Sequence, residues 1–296
     1  MPEAAAARSL QRELELAWES SSGDSCSRWT GELSDDWSFR SPAGGVLSAL
    51  GVHAMAKELE RRGLDGAAWL PLSVTATFCS VVVAGPVEVD VTLLRMGRAV
   101  CQLRASVRSL GATDVGLEVT ASFGLARSGP EFVASHFPEV TAVGDSPSGT
   151  GGVPFAPNVV PRFFQRFETR RAAGADFWSA DWAGGGGHHA RWVRFHEPPL
   201  GREGYLEPAA LIALADTMPP SVVQYLGSGF EPFIAPSLDL TVHLIESTRR
   251  PWLLCSARST SAYRGYAAAR IEIWDDARRL LAVGTQVMML RRRPQL

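Results

Sequence analysis

The feature that most constrains this chain is an order of elements that occurs twice: one helix, then a run of strands with no second helix between them. In the first half, Trp29–Leu33 reads as a short strand, and Ser41-Pro42-Ala43-Gly44-Gly45 leads into Val46–Arg62, whose apolar residues fall at helical spacing. Proline suits a helix start because its missing N–H would have no partner there, and Gly63 is a natural stop. Strands are expected at Leu70–Val83, Pro86–Met96, Ala99–Leu110 and Asp114–Ala126, rich in Val, Thr and Leu and broken by Gly85-Pro86, Gly97 and Gly111. The second half repeats the pattern. Strands at Phe163–Thr169 and Ala190–Phe195 precede a helix over Glu207–Thr217, which Pro219-Pro220 should stop. Strands then follow at Ser237–Ile245, Pro251–Ser259, Tyr263–Trp274 and Leu280–Arg291. A helix followed by long antiparallel strands is α+β, not alternating βα units.

The repeat has a period of about 165 residues. That offset sets Pro86 on Pro251, Thr120 on Thr285 and Leu125 on Leu290, and Thr75 aligns with Thr241 one position further on. The glycine-, serine- and proline-rich stretch at Gly144–Pro157 follows the first complete unit. The expected organisation is therefore a helix or tail over 1–22, a first unit over 23–130, a linker over 131–157 and a second unit over 158–296.

Composition narrows the function. A formal net charge of −2 gives no footprint for nucleic acid. Lys57 is the only lysine among 29 basic residues, a bias that genome composition explains as well as phosphate recognition does. The four cysteines, Cys26, Cys79, Cys101 and Cys255, lack CxxC spacing and are expected as buried reduced thiols. No apolar run reaches the ~20 residues of a bilayer span, and Met1–Ser22 has no signal-peptide core, so a cytoplasmic location is expected. His188, His189 and His196 match no compact zinc pattern, Gly184–Gly187 lacks a dinucleotide-loop setting, and no GxSxG elbow occurs. Neither metal nor cofactor is expected, and nucleophilic serine chemistry is disfavoured.

Polar residues that occur in only one copy mark where chemistry could sit. Asp216 lies in the second helix, whereas the first helix near Gly51 has no carboxylate; Gln286 stands where the first copy has Ala121; Ser237 stands where it has Pro71 or Leu72. One half should be active and the other a scaffold.

These segments resemble the bacterial acyl-CoA thioesterase II family. Ala235-Pro-Ser-Leu-Asp-Leu-Thr-Val-His-Leu244, Thr285-Gln286-Val-Met-Met-Leu-Arg291 and the helix Leu211–Asp216 carry the likeness. In the first half Gly44-Gly45, Phe78, Pro86, Arg95 and Thr120–Phe123 fall where family positions are expected. The resemblance implies two tandem hot-dog domains, each a long helix wrapped by an antiparallel sheet. It further implies hydrolysis of an acyl thioester of coenzyme A or a carrier, self-association, and a site of Asp216, Ser237 and Gln286 that activates water. Serine at 237 replaces a common threonine, Val287 replaces a glutamate, and the insert 172–187 has no family counterpart.

Physical chemistry supports those roles. A carboxylate accepts a proton from water, and a hydroxyl and an amide offer donors and acceptors that fix it. Gly44-Gly45, opening the first helix, are expected to present backbone N–H groups to a developing oxyanion. Two rival readings remain: a hydratase or dehydratase using His53, and a non-catalytic acyl-thioester binding module. Arg291–Arg293 read either as a solvated chain end or as partners for coenzyme phosphates, and Phe177, Trp178, Trp182 and Trp192 as core or as an acyl tunnel.

Overall fold

The computed structural model describes residues 8–147, 161–175, 183–227 and 233–292. The chain runs α1 (Leu10–Glu13), β1 (Leu16–Ser22), β2 (Cys26–Leu33), α2 (Gly44–Arg61), β3 (Leu70–Phe78), β4 (Gly85–Met96), β5 (Val100–Ser109) and β6 (Leu117–Gly124). It continues through β7 (Phe167–Ala173), β8 (His188–Phe195), α3 (Pro208–Ala215), α4 (Pro219–Leu226), β9 (Phe233–Ile234) and β10 (Asp239–Leu244). The last strands are β11 (Leu253–Tyr263), β12 (Tyr266–Asp275), β13 (Leu280–Met289) and β14 (Arg291–Arg292).

Twelve of the strands form one antiparallel sheet in the order β1-β2-β4-β5-β6-β3-β10-β13-β12-β11-β8-β7. Outward from the central β3–β10 pair the two halves have the same sequence of elements, which is the double hot-dog arrangement. The register bears out the repeat. Thr75 pairs with Thr241 across the join, Thr120 pairs with Thr75 on one side, and Thr285 pairs with Thr241 on the other. Thr75 Oγ1 and Thr241 Oγ1 lie 3.2 Å apart.

Alternation sorts each strand onto two faces. In β5, Cys101, Leu103, Ala105 and Val107 are buried, while Arg104 on the opposite face is exposed. The buried faces of both halves, with α2 and α3, form one continuous core. Gly51 lets α2 approach the sheet, since a Cβ there would stand 3.0 Å from Val119. A second cluster of Trp192, Trp252 and Trp274 is covered by Phe137, Val140 and Val143, so residues 137–143 of the expected linker pack on the second half. Among the described residues, no helix is long and apolar enough to cross a membrane.

Three local expectations are corrected. The N-terminal helix or tail is a single helical turn followed by β1, which pairs with β2, because sheet pairing overrides the weak helical spacing of Arg8–Trp18. Pro219-Pro220 do not simply end a helix; they open α4, where the first-turn amides need no partner. Cys79 is exposed, because β3 ends at Phe78 and the chain turns outward, its Cys79 N–H donating to Gly116 O at 2.8 Å.

The start of α2 meets the end of α3 at very close range. A Cβ on Gly45 would lie 2.5 Å from Ala213 O and 2.9 Å from Asp216 Cβ. Gly45→Ala should therefore cost about 2 kcal/mol in denaturant unfolding, as overpacking does. Gly129→Ala, in open space, serves as the neutral control. Equal midpoints for the two variants would mean that the helices can separate without penalty.

Candidate active site

Asp216 occupies the C-terminal boundary of α3, where the chain leaves the helix before Pro219 restarts it as α4. The carbonyl end of a helix is an unfavourable place for a negative charge. The compensation comes from the other half of the chain. The residue before α2, Ala43, has no side chain to cap the helix, and the Gly45 N–H donates to Asp216 Oδ2 at 2.9 Å. A carboxylate distant in sequence thus does the work of an N-cap.

Ser237 Oγ donates to Asp216 Oδ1 at 3.0 Å. The Gln286 amide nitrogen donates to the same Oδ1 and to Ser237 Oγ, the latter at 2.6 Å. Asp216 is 6% exposed and Gln286 only 1%, while Ser237 is half-buried. Burial raises the Asp216 carboxyl above its ordinary range, outweighing the hydrogen bonds from Gln286, Ser237 and the α2 amides, which act in the opposite direction. Gln286 Oε1 is buried and accepts no hydrogen bond among the described residues. An orphaned buried acceptor is costly, and this one lies next to the carboxylate.

A bulge delivers the serine. Leu240 and Val242 are buried, so strict alternation would turn residue 238 inward, not 237. Between the Thr241–Thr285 pair and the Ser237–Met288 bridge, however, the first strand contains one residue more than its partner. Such a bulge re-aims a side chain. Asp239 repairs the interrupted ladder by accepting the Val287 N–H on its Oδ1 at 2.6 Å, and Leu238 N–H donates to Val287 O at 2.8 Å. Gln286 needs no such device: it shares the inward face of β13 with Ala282, Gly284 and Met288.

The first copy has the same bulge and none of the chemistry. The β3–β6 register shifts between Pro71 and Ser73, and Pro71 and Ala121, the counterparts of Ser237 and Gln286, are both buried.

The structure brings Asp216, Ser237 and Gln286 together and assigns the glycines differently from expectation. The Gly45 N–H holds Asp216 instead of standing open for an oxyanion, because the α2 N-terminus faces the end of α3. A Cβ on Gly44 would meet Phe78 Cε1 at 2.6 Å and Asp216 Oδ2 at 2.9 Å, so the Phe78 ring and the carboxylate both pack directly on Gly44. The resemblance places Phe78 and Gly44-Gly45 at family positions, but no spacing in the sequence reports that the two meet. Two groups lie elsewhere. His53 sits eight residues past Gly45 on α2, about 12 Å along the axis, and burial pushes its pKa down to about 4. Trp192 packs in the second apolar cluster, donating to Thr141 O at 2.9 Å, while Phe177, Trp178 and Trp182 lie outside the described residues.

An acyl-CoA thioesterase N-terminal domain model matches residues 33–124, and an acyl-CoA thioesterase C-terminal domain model matches residues 138–290. A hot-dog protein of unknown function from Alicyclobacillus acidocaldarius superposes with a TM-score of 0.75 at 22% identity, covering 96% of this chain and 98% of its own. An acyl-CoA thioesterase II from Mycobacterium marinum gives 0.72 at 20% identity, covering 97% and 99%. No curated protein sequence matches. The structural likenesses establish the fold, the two domain matches span most of the chain, and the chain belongs to the acyl-CoA thioesterase family.

Proposed function

We propose that the protein hydrolyses an acyl-CoA thioester by direct attack of water, with Asp216 as general base and Ser237 and Gln286 as its positioning partners. The observation that carries this reading is the convergence of the three side chains, from α3, from the bulge before β10 and from β13, on one buried carboxylate. Asp216 takes a proton from water as the water oxygen bonds to the thioester carbon. The C–S bond then breaks, and the proton passes to the departing sulfur, giving a free acid and the thiol of coenzyme A.

The α2 amides fit into this sequence. While Asp216 is ionised, the Gly45 N–H is bound to it. Protonation removes that charge at the moment negative charge grows on the thioester oxygen. In this scheme the positive end of α2 then serves the oxyanion. The expected oxyanion role of Gly44 and Gly45 becomes the second half of an exchange.

His53 is too far along α2 to pair with Asp216 in a hydratase site, and against a mere binding module stands a carboxylate buried at a cost that raises its pKa. We place the protein in the cytoplasm, where its free thiols, one of them exposed, would stay reduced. We also infer self-association, most simply a homodimer, supported by exposed Leu70, Leu72 and Met96.

Thiol release from acyl-CoAs of several chain lengths should fall about 10²–10⁴-fold in Asp216→Asn, the range for loss of a general base, and measurably in Gln286→Ala. Full activity in Asp216→Asn would sink the assignment. The rate kcat/KM should rise with pH through a limb above the usual carboxylate range, as the raised pKa requires. Stability carries the opposite sign. A carboxyl whose pKa is raised in the folded state stabilises below its unfolded pKa, and that stability is lost as pH rises through the folded value. Asp216→Asn should therefore gain in Tm over wild type as pH increases across that window; a pH-independent difference would show that Asp216 is not perturbed.

A further inference from the structure

The strand ends beyond the site have chemistry that the hydrolysis step does not use. From the Ser237–Met288 bridge the ladder continues outward: Met289 N–H donates to Pro236 O at 3.0 Å, and Arg291 pairs with Ile234 in the short β14–β9 extension. At the same end, the β11–β12 hairpin turns through Arg264 and Gly265, both at positive φ, of 51° and 81°. Two positive values in a two-residue loop mark the tight hairpin turn that matches strand twist. A non-glycine residue there is uncommon, and its effect is to hold Arg264 at the outermost point of the hairpin. Gly265 O accepts the Leu290 N–H at 2.7 Å, and Tyr266 pairs with Met289, so the hairpin tip and Arg291 are adjacent.

The side chains at this end are exposed. Tyr263 is 73% and Tyr266 49% exposed, and they face each other as a cross-strand pair. The Arg264 guanidinium stands 5.1 Å from the Tyr263 ring. Neither Arg264 nor Arg291 is paired with a carboxylate among the described residues. The equivalent hairpin of the first half, Met96–Val100, also carries an arginine, Arg98, but no aromatic ring. Aromatic faces beside unpaired guanidinium groups thus occur on the half that holds the three-residue site.

We propose that Tyr263, Arg264, Tyr266 and Arg291 form the docking surface for the phosphorylated adenosine end of the thioester's carrier. Guanidinium groups pair with phosphate through forked hydrogen bonds, and an exposed aromatic ring offers a stacking face to a purine. The reach is right. Three residues of strand separate Met288 from Arg291, about 10 Å at the usual rise, and an arginine side chain adds several more. An extended pantetheine arm, which separates thioester from pyrophosphate, spans on the order of 15 Å by its bond lengths. A carrier of this kind would place its sulfur at Asp216 and its phosphates at the hairpin tip. The inference rests on the thioesterase reading and deepens it, by selecting a nucleotide carrier over a protein-borne one.

The test compares an acyl-CoA with the same acyl group on pantetheine, which has no nucleotide. An Arg264→Ala/Arg291→Ala double variant should raise KM for the acyl-CoA about tenfold or more with kcat retained, and leave acyl-pantetheine kinetics unchanged. Lysine at both positions should restore part of the loss. Adenosine 3′,5′-bisphosphate, titrated calorimetrically, should bind wild type and not the double variant, with Tyr263→Ala in between. An unchanged KM for acyl-CoA would overturn the proposal, as would equal losses on both substrates. Loss confined to an acyl-carrier protein would overturn it too, by assigning the surface to a protein carrier. Bisphosphate binding is read without turnover. Wild type inert toward both thioesters yet binding the bisphosphate only through these arginines would remove the hydrolytic reading and keep this one.

Discussion

The hydrogen bond from the Gly45 amide to Asp216 is the interaction on which the proposed chemistry depends. It joins the positive end of one half's helix to a carboxylate carried by the other, across a gap that only glycine permits. Without it, Asp216 would be a buried charge at the wrong end of α3, and α2 would begin with an unsatisfied amide in the core. Each defect answers the other. The carboxylate remains under tension all the same, since burial still raises its pKa. A base that is somewhat reluctant to be ionised is better matched to accepting a proton near neutral pH than one fully stabilised by its surroundings.

The continuous sheet gives that contact its precision. Joining β3 to β10 fixes the two helices side by side over one core, so the approach of α2 to α3 is set by strand register, not by loops. The bulge at Pro236–Asp239 then makes a local exception to the alternation that governs the other strands. It turns a hydroxyl toward the carboxylate and uses an aspartate side chain to mend the ladder it breaks. Its presence in both copies shows that the backbone device belongs to both halves of this chain; the side chains placed on it differ.

Much of this was legible in the sequence. The repeat, the helix-then-strands order and the three polar residues found in only one copy could all be read from spacing, and the threonine matches at offsets near 165 reappear as paired residues. Other features were not legible. The β1 strand hides behind a helical spacing too short to outweigh pairing with β2. Pro219-Pro220 carry the same signal whether they stop a helix or start one. The inward turn of Ser237 contradicts simple alternation, because a bulge is a property of two strands and leaves little trace in either alone. The partnership of Gly45 with Asp216 spans 171 positions, and no local pattern reports it.

Covalent fusion of the two halves has a consequence for how such a site can change. In a symmetric pair of separate chains, one gene encodes both clefts, so any substitution is written into both at once. Here the position that is Ser237 in one half is Pro71 in the other, and Gln286 answers to Ala121. Each pair can be tuned independently, one member for reactivity and the other for rigidity. The tandem architecture frees a duplicated fold from the obligation to be identical with itself.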